Sequence, residues 1–417
     1  VQGLTNVGFV EKEATTGRNT PLDQGNCAPD VAGGQQCIGG LEGTELRTLY
    51  SVGSTYLGAG QALATNGDGD TQGPTADLHK YELDRALPQD NTVFVNTDHD
   101  TCVATGVQAT SCDTSGEGEW ALDMTSSTAM APGVRTVYMF FPSALGNASG
   151  FQAWADYNDT SLGPVPMQEN ASWGECEAYG TTFVPIADGS MITYTNAFID
   201  AAGKGKTQFV SAGDLGGGCA LTGLNGVTPG GPPQTQWPCT SSWVVCVGGT
   251  VLYTNGASGS SEARANLGGT CTPNTGVNQV NDCFEIAWSH TGGGTSYIIP
   301  APSWQQSLPG VPADPVVGHC VEQPDGTPYT SPTLCRGAPD VTALSGDITC
   351  CQGVNGNGFF DVEGGTPQTA SGGPTAGNES EDGGTSLADP LWEGLWADIQ
   401  SDPAPGGTWG FASPLLY

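Results

Sequence analysis

The chain has 417 residues, of which 13% are charged, and its 43 acidic and 10 basic side chains give a net charge of -33. This charge excludes nucleic-acid binding through a basic surface, because phosphate contacts need clustered Lys and Arg. No run of 18 apolar residues occurs, so the sequence predicts no membrane-spanning helix, while 37% apolar residues suffice for a hydrophobic core.

The predicted elements begin after an N-terminal extension, residues 1–40, which is rich in Gly, Asn and Gln and is expected to pack on a single domain formed by residues 41–417. In chain order the patterns predict a helix over 76–87, a helix over 114–130 that starts with the capping box Thr114–Glu117, a strand over 135–141, a helix over 193–202, strands over 207–211 and 244–253, and a helix over 390–399.

Helices that alternate with apolar strands in this way predict an α/β fold, a parallel sheet with helices on both faces. Long loops rich in Gly, Pro and Thr, at 222–237, 254–281 and 362–382, are expected to elaborate it.

Fourteen cysteines are spread along the chain, with no CxxC pair and no histidine spaced to complete a zinc site. Seven disulfides formed in an oxidising compartment explain this usage. Loop size alone favours four pairings between cysteines close in sequence, although connectivity does not follow from sequence: Cys27 with Cys37, Cys102 with Cys112, Cys271 with Cys283, and Cys320 with Cys335.

Four N-x-[ST] sequons, at Asn147, Asn158, Asn170 and Asn378, predict glycosylation and agree with a secreted protein or one of a lysosome- or vacuole-type acidic compartment. The chain starts at Val1 without a signal peptide and is expected to be a mature form. Its negative charge fits either a solubility effect or adaptation to acid, where many carboxylates are protonated.

Four residues in three parts of the sequence carry groups that could perform chemistry. Glu119 and Asp123 are four residues apart on a predicted helix and therefore share one face, where each disfavours the ionisation of the other. Ser386 lies between a Gly-Gly-Thr turn and a helix, and Asp214 follows a buried strand. Taken singly, each has an ordinary explanation, a solvated acidic face or a helix cap.

A serine nucleophile usually needs a histidine base, but none of the four histidines (His79, His99, His290 and His319) stands in the HG[TS] context of subtilisins. The stretch GTSLADPLWEGL is nevertheless similar to the subtilisin serine helix. A carboxylate could act as the general base in place of the missing histidine.

Seven stretches of sequence strengthen this interpretation, and they are GEWALDM (118–124), SWGECE (172–177), FVSAGDLG (209–216), WPCTSSWVVCVGGT (237–250), WSHTGGGTS (288–296) with PSWQQ (302–306), RGAPDV (336–341) and GGTSLADPLW (383–392). In this order they resemble the sedolisin family of serine-carboxyl peptidases, peptidase family S53, from about residue 41 to the end.

The resemblance implies a subtilisin-like fold and an acid-active serine endopeptidase that acts on protein or peptide substrates. Glu119 would be the general base, Asp123 its orienting partner, Ser386 the nucleophile and Asp214 the acid that stabilises the oxyanion. Glu119 must be ionised and Asp214 protonated, so both roles hold together only in mild acid, with the pKa of Asp214 raised by burial or neighbouring carboxylates.

The resemblance also implies that Gly292, Gly293 and Gly294 pair with an extended peptide, the alternative being a flexible loop.

No cofactor is required for the chemistry. The family's structural calcium lies on a segment downstream of the nucleophile, which this sequence does not contain; that segment was removed, exists as a separate C-terminal fragment, or is dispensed with. Asp389 departs from the family pattern, which more often has a small residue there.

Two minor motifs have competing interpretations. Residues 66–77 partly imitate a calcium loop but lack its central Gly and final Glu, and DTSG at 113–116 imitates an aspartic-protease turn without a second copy. A different class of function, a secreted structural or assembly protein that retains the peptidase fold, is the alternative to a peptidase.

Overall fold

The computed structural model describes residues 26–29, 35–38, 41–52, 54–96, 113–142, 148–179, 184–185, 190–217, 235–253, 284–288, 290–306, 320, 327–331, 333–346, 358–367, 372–402 and 409–417. Several predictions fall outside these residues, namely those for Asn147, Cys102, Cys112, Cys271, Cys283 and the loop 254–281.

The helices, numbered in chain order, are α1 Gly43–Leu49, α2 Gln72–Asp84, α3 Glu117–Met130, α4 Ser149–Asp156, α5 Ser190–Gly203, α6 Ser303–Gln306, α7 Thr385–Ser401 and α8 Ser413–Leu416. Within the part of the chain that the structure describes, none of them has the length and apolar character needed to cross a membrane.

The strands, numbered likewise, are β1 Asn26–Pro29, β2 Gln35–Ile38, β3 Leu63–Asn66, β4 Asn91–Asn96, β5 Thr136–Phe141, β6 Gln168–Glu169, β7 Glu175–Cys176, β8 Ala178–Tyr179, β9 Val184–Pro185, β10 Thr207–Ser211, β11 Gln236–Trp237, β12 Val245–Tyr253, β13 Phe284–Ala287, β14 Gly294–Pro300, β15 Cys335–Ala338, β16 Val341–Leu344, β17 Phe359–Glu363 and β18 Asn378–Asp382.

A parallel sheet in the order β4-β5-β3-β6-β10-β12-β16 forms the centre of the molecule. Parallel pairing joins β5 to β3 and β4, β10 to β6 and β12, and β12 to β16. A parallel bridge between Thr65 and Asn170 connects β3 to the residue after β6. An antiparallel strand, β13, pairs with the end of β12. The predicted parallel sheet is confirmed.

Helices cover both faces of this sheet. Phe209 of β10 packs with Leu387 of α7, whereas the next residue, Val210, packs with Phe151 of α4 and Tyr194 of α5. Successive side chains of a strand point to opposite faces, so α7 lies on one side and α4 and α5 on the other. The strands β5 and β10 are buried along their whole length, as strands covered on both faces must be.

Element boundaries depart from the sequence prediction in several places, among them both ends of α2, which is predicted at 76–87 and spans Gln72–Asp84. The helix expected at 390–399 begins at Thr385, with Pro390 inside it. The predicted capping box at Thr114 is wrong, since the N-cap of α3 is Gly116 and no side chain caps it. The stretch 362–382, expected to be a loop, contributes to an antiparallel hairpin in which β17 pairs with β18.

Disulfides add to this scaffold in the described residues. The predicted bond between Cys320 and Cys335 is confirmed, and a second bond, which loop size did not suggest, joins Cys239 to Cys246. Cys27 and Cys37 are directly opposite each other in the antiparallel pair of β1 and β2.

Candidate active site

Ser386 lies in the first turn of α7 and is partly buried. Gly384 before the helix has φ of 94°, a conformation that favours glycine and turns the chain sharply into α7. Pro390 has no N–H to donate to the carbonyl oxygen of Ser386, four residues earlier, so that oxygen lacks its usual helical partner. The hydroxyl of Ser172 approaches it instead, with Oγ at 3.3 Å.

The acidic pair lies on α3, which packs against α7. Asp123 is fully buried, and its Oδ1 accepts a hydrogen bond of 2.6 Å from Ser172 Oγ. Burial and the charge of Glu119, one turn earlier, raise the pKa of Asp123 well above its ordinary value. Ser172 therefore touches both helices, the carboxyl of Asp123 on one and the backbone of Ser386 on the other.

Asp214 lies beyond the carboxyl end of β10, at the N-terminus of α7. Its Oδ1 accepts hydrogen bonds from Thr385 N (2.8 Å) and Thr385 Oγ1 (2.7 Å), and Thr385 Oγ1 accepts one of 3.0 Å from Gly213 N. A methyl group on Gly384 would come within 2.7 Å of Asp214 Oδ2. Asp214 is thus fixed immediately before Ser386, as expected for a side chain at the carboxyl end of a parallel strand.

The three glycines lie along the same loop. Gly292 N donates to Gly213 O at 2.6 Å, and Gly294 begins β14, where it pairs with Ala338 of β15. A side chain on Gly292 would collide with the backbone of Ala212, so this close approach needs glycine. Binding of a peptide by these residues stays a prediction.

Known proteins resemble the chain over most of its length. It is 28% identical to sedolisin of Pseudomonas sp. (strain 101) over 377 residues, which are 90% of this chain and 52% of that protein. It is 27% identical to kumamolisin of Bacillus sp. (strain MN-32) over 411 residues, 95% of this chain and 54% of that protein. The solved structure of Pseudomonas sedolisin, a serine-carboxyl proteinase complexed with two molecules of pseudo-iodotyrostatin, superposes with a TM-score of 0.62 at 26% identity and covers 92% of this chain and 85% of that one.

The chain is a relative of the sedolisins. The resemblance that its motifs indicated is confirmed, and the fold is subtilisin-like. The chain spans about half the length of the curated sedolisin and kumamolisin that it matches, 52% and 54%. No protein-family model matches it.

Four residues that form hydrogen bonds in or beside the candidate site were not predicted from the sequence. Ser172 and Thr385 were inside the quoted motifs, but nothing in their spacing indicated that they would bind Asp123 and Asp214. Glu393 carried no signal, and for Asp389 only its departure from the family pattern drew attention. Contacts of this kind depend on how α3, α7 and the end of β6 meet, which no local pattern encodes.

The glycosylation prediction is wrong at one sequon. Asn170 is fully buried, and its Nδ2, the atom that would carry the glycan, donates to Glu393 Oε2 at 2.6 Å. Asn158 and Asn378 are exposed, so glycosylation there stays a prediction.

No group of three or more His, Cys, Asp or Glu side chains in the described ranges is arranged to hold a metal ion. The structural calcium that the family resemblance implies stays a prediction, and no step of the chemistry below passes through a metal.

Proposed function

We propose that this chain is an acid-active serine endopeptidase that hydrolyses peptide bonds through an acyl-enzyme. The observation that carries the proposal is the hydroxyl of Ser172, which contacts Asp123 Oδ1 at 2.6 Å and the carbonyl oxygen of Ser386 at 3.3 Å. It supports the assignment of the carboxyl pair and the serine to one site although more than 260 residues separate them.

In the first step Ser386 Oγ attacks the carbonyl carbon of the substrate while ionised Glu119 accepts the hydroxyl proton. Buried Asp123 favours its neutral form, and a neutral carboxyl one turn from Glu119 can donate a hydrogen bond that orients the base. Glu119 then gives the proton to the leaving amine, the C–N bond breaks, and water releases the acyl group in a second, equivalent cycle.

Asp214 takes the role of oxyanion stabiliser. Thr385 directs two donors at Asp214 Oδ1, so a proton on this carboxyl would reside on Oδ2 and be available for a developing oxyanion. Ionised Glu119 and neutral Asp214 coexist only in acid, so we expect a bell-shaped dependence of kcat/KM on pH with its maximum below pH 6.

The test is cleavage of a denatured protein substrate at about pH 4 by the wild-type chain and by Ser386→Ala. We expect the substitution to reduce kcat by at least about 10³-fold, because it removes the nucleophile. Unchanged circular dichroism and Tm would show that the variant is folded. Equal rates, or no cleavage by wild type, would contradict the proposal and favour a structural or assembly protein that retains the fold.

We further propose that residues 1–40 form an extension on the domain of residues 41–417 and that the protein works in a secreted or lysosome- or vacuole-type acidic compartment. The disulfides Cys239–Cys246 and Cys320–Cys335 and the net charge of -33 support an oxidising and acidic location. Glycans at Asn158 and Asn378 would agree with it, and mass spectrometry of the native protein would detect them.

A further inference from the structure

Three consecutive residues after β6 each bind a buried carboxyl group on a helix. The segment 170–172 uses a side-chain amide, a backbone N–H and a hydroxyl in turn. The contacts run from Asn170 Nδ2 to Glu393 Oε2 (2.6 Å), from Ala171 N to Asp389 Oδ2 (3.0 Å) and from Ser172 Oγ to Asp123 Oδ1 (2.6 Å). The last carboxyl belongs to the proposed catalytic pair, and the other two lie on the nucleophile helix.

Asp389 holds the middle position of this row. It is three residues after Ser386, on the same face of α7, and is fully buried. Its Oδ2 is satisfied by Ala171 N, whereas Oδ1 is buried without a hydrogen-bond partner among the described residues. Ionisation of a carboxyl group in such surroundings is energetically unfavourable.

The side chains that disfavour ionisation of Asp389 are carboxyl groups on three elements, α3, α7 and β6. Glu119 and Asp123 face it from α3, Glu393 from its own helix, and Glu169 from β6. Burial first, and then the charges of Glu393 and Glu119, raise the pKa of Asp389 well above its ordinary value. The neutral form is therefore the one compatible with this packing.

We propose that neutral Asp389 is a positioning residue for the catalytic pair: it fixes residue 171, and through it Ser172 against Asp123, and its ionisation, together with that of Asp214, sets the alkaline limit of activity. The inference rests on the proposed function. Once Asp389 loses its proton, a buried negative charge faces Glu119 and Asp123, and the junction of α3 and α7 opens.

The variant Asp389→Asn separates this role from simple packing, because asparagine keeps the shape and the acceptor for Ala171 N but cannot ionise. We expect Asp389→Asn to retain cleavage at pH 4 and to shift the alkaline limb of kcat/KM upward by about half a pH unit or more. Asp389→Ala, which leaves Ala171 N without its acceptor, should lower kcat by about 10- to 100-fold at pH 4 with little change in KM. An unshifted limb in Asp389→Asn, or wild-type kcat in Asp389→Ala, would overturn the inference.

Glu82→Gln is the matched control. Glu82 is buried near the C-terminus of α2, with its pKa raised to about 8 by burial and Asp90. Its Oε1 accepts a hydrogen bond from Asp90 N, just before β4, and not from the 170–172 segment. It should change stability and leave the pH profile of cleavage unmoved. A shift as large as that of Asp389→Asn would assign the alkaline limit to global unfolding and overturn the inference.

A second readout does not depend on cleavage. A second substitution, Asp389→Asn, is made in the inactive Ser386→Ala variant. The change in Tm that Asp389→Asn causes should be more positive at pH 7.5 than at pH 4, because only the protein that keeps Asp389 must ionise a buried group at pH 7.5. If wild type cleaves nothing and this difference is present, the proposed function fails while the buried network stands. If wild type cleaves and neither the limb nor Tm moves, only the role of Asp389 fails.

Discussion

At the proposed active site, Thr385 holds the side chain of Asp214 in place through two hydrogen bonds. Thr385 binds its Oδ1 through both backbone and hydroxyl, and the same hydroxyl accepts the N–H of Gly213, the residue before Asp214. One threonine thus determines the orientation of the carboxyl and of the turn that carries it. A side chain that must donate to an oxyanion gains from such fixation, because it does not have to reorganise during the reaction.

We therefore predict that Thr385→Val lowers kcat about 10- to 100-fold. Valine has nearly the same shape but cannot hydrogen bond through its side chain, so half-buried Gly213 N loses its acceptor and Asp214 loses one of the two donors that Thr385 supplies. Steady-state kinetics at pH 4 measure the effect. Thr385→Ser, which keeps the hydroxyl, is the control, and equal kcat for valine and serine variants would contradict a role in orienting Asp214.

At this scale the sequence indicated the residues that are proposed to carry the chemistry but not how they are held. Glu119, Asp123, Asp214 and Ser386 could be nominated because acidic, hydroxyl and glycine residues recur in recognisable stretches. The partners Asn170, Ser172 and Thr385 could not, because each acts across elements that are distant in sequence. The sequon at Asn170 misled for the same reason, since a three-residue motif does not report burial.

At the scale of elements, the approach of α3 to α7 is set by Gly394. A methyl group there would meet Met130 Cβ at 2.7 Å and would also clash with the backbone carbonyl of Ser127. Both belong to the last turn of α3, so the absence of a side chain allows the helices that carry Asp123 and Ser386 to lie in direct contact.

Gly394→Ala should consequently destabilise the protein although alanine is the better helix former. The intrinsic gain of about 1 kcal/mol is outweighed by overpacking of about 1–3 kcal/mol, because backbone rather than a flexible side chain is in the way. Differential scanning calorimetry at pH 4 should show a lower Tm, and kcat should fall with it.

Gly203→Ala is the control for this prediction. Gly203 ends α5 and is exposed, and a methyl group there meets no atom of the described residues within 4 Å. It should leave Tm unchanged or raise it slightly. A rise in Tm for Gly394→Ala as well would refute the close packing of α3 and α7.

Helices and strands were predictable from the sequence where the pattern of apolar residues determines them. They were not predictable where they depend on tertiary contacts. The strands β5 and β10 agree with prediction within one residue, since continuous apolar runs favour buried strands. The strand β18 has the sequence NESED, which lacks strand propensity and forms because it pairs with β17. Pro390 suggested a helix start, but α7 begins five residues earlier at Gly384–Thr385.

At the scale of the whole molecule, buried carboxyl groups are widely distributed. Burial raises the pKa of several to near or above neutrality, in each case as the largest cause: Asp90 and Asp382 to about 7, and Glu82, Glu117 and Glu393 to about 8. They belong to α2, α3, α7, β18 and the residues before β4. Folding of this chain is therefore linked to protons throughout the domain and not only at its active site.

The sign of the linkage follows from the direction of these shifts. A carboxyl whose pKa is higher in the folded than in the unfolded state stabilises the fold below about pH 4 and loses that contribution as the pH rises to about 7–8. Each shifted unit is worth about 1.4 kcal/mol of the free energy of unfolding. We predict a Tm that falls steadily from pH 4 to pH 8, measured by calorimetry at constant ionic strength. A higher Tm at pH 8 than at pH 4 would contradict the protonated state of these groups.

The burial of Asn170 also has a consequence for production of the protein. In a eukaryotic secretory pathway, oligosaccharyltransferase meets the nascent chain before it folds and reads the Asn-Ala-Ser sequon without regard to its later surroundings. A chain modified there cannot place Asn170 against Glu393, and the sugar would have to fit between two helices and a sheet. Such molecules would be retained and degraded, so yield would depend on the efficiency of that single transfer. A periplasmic host, which forms disulfides without attaching this glycan, avoids the loss.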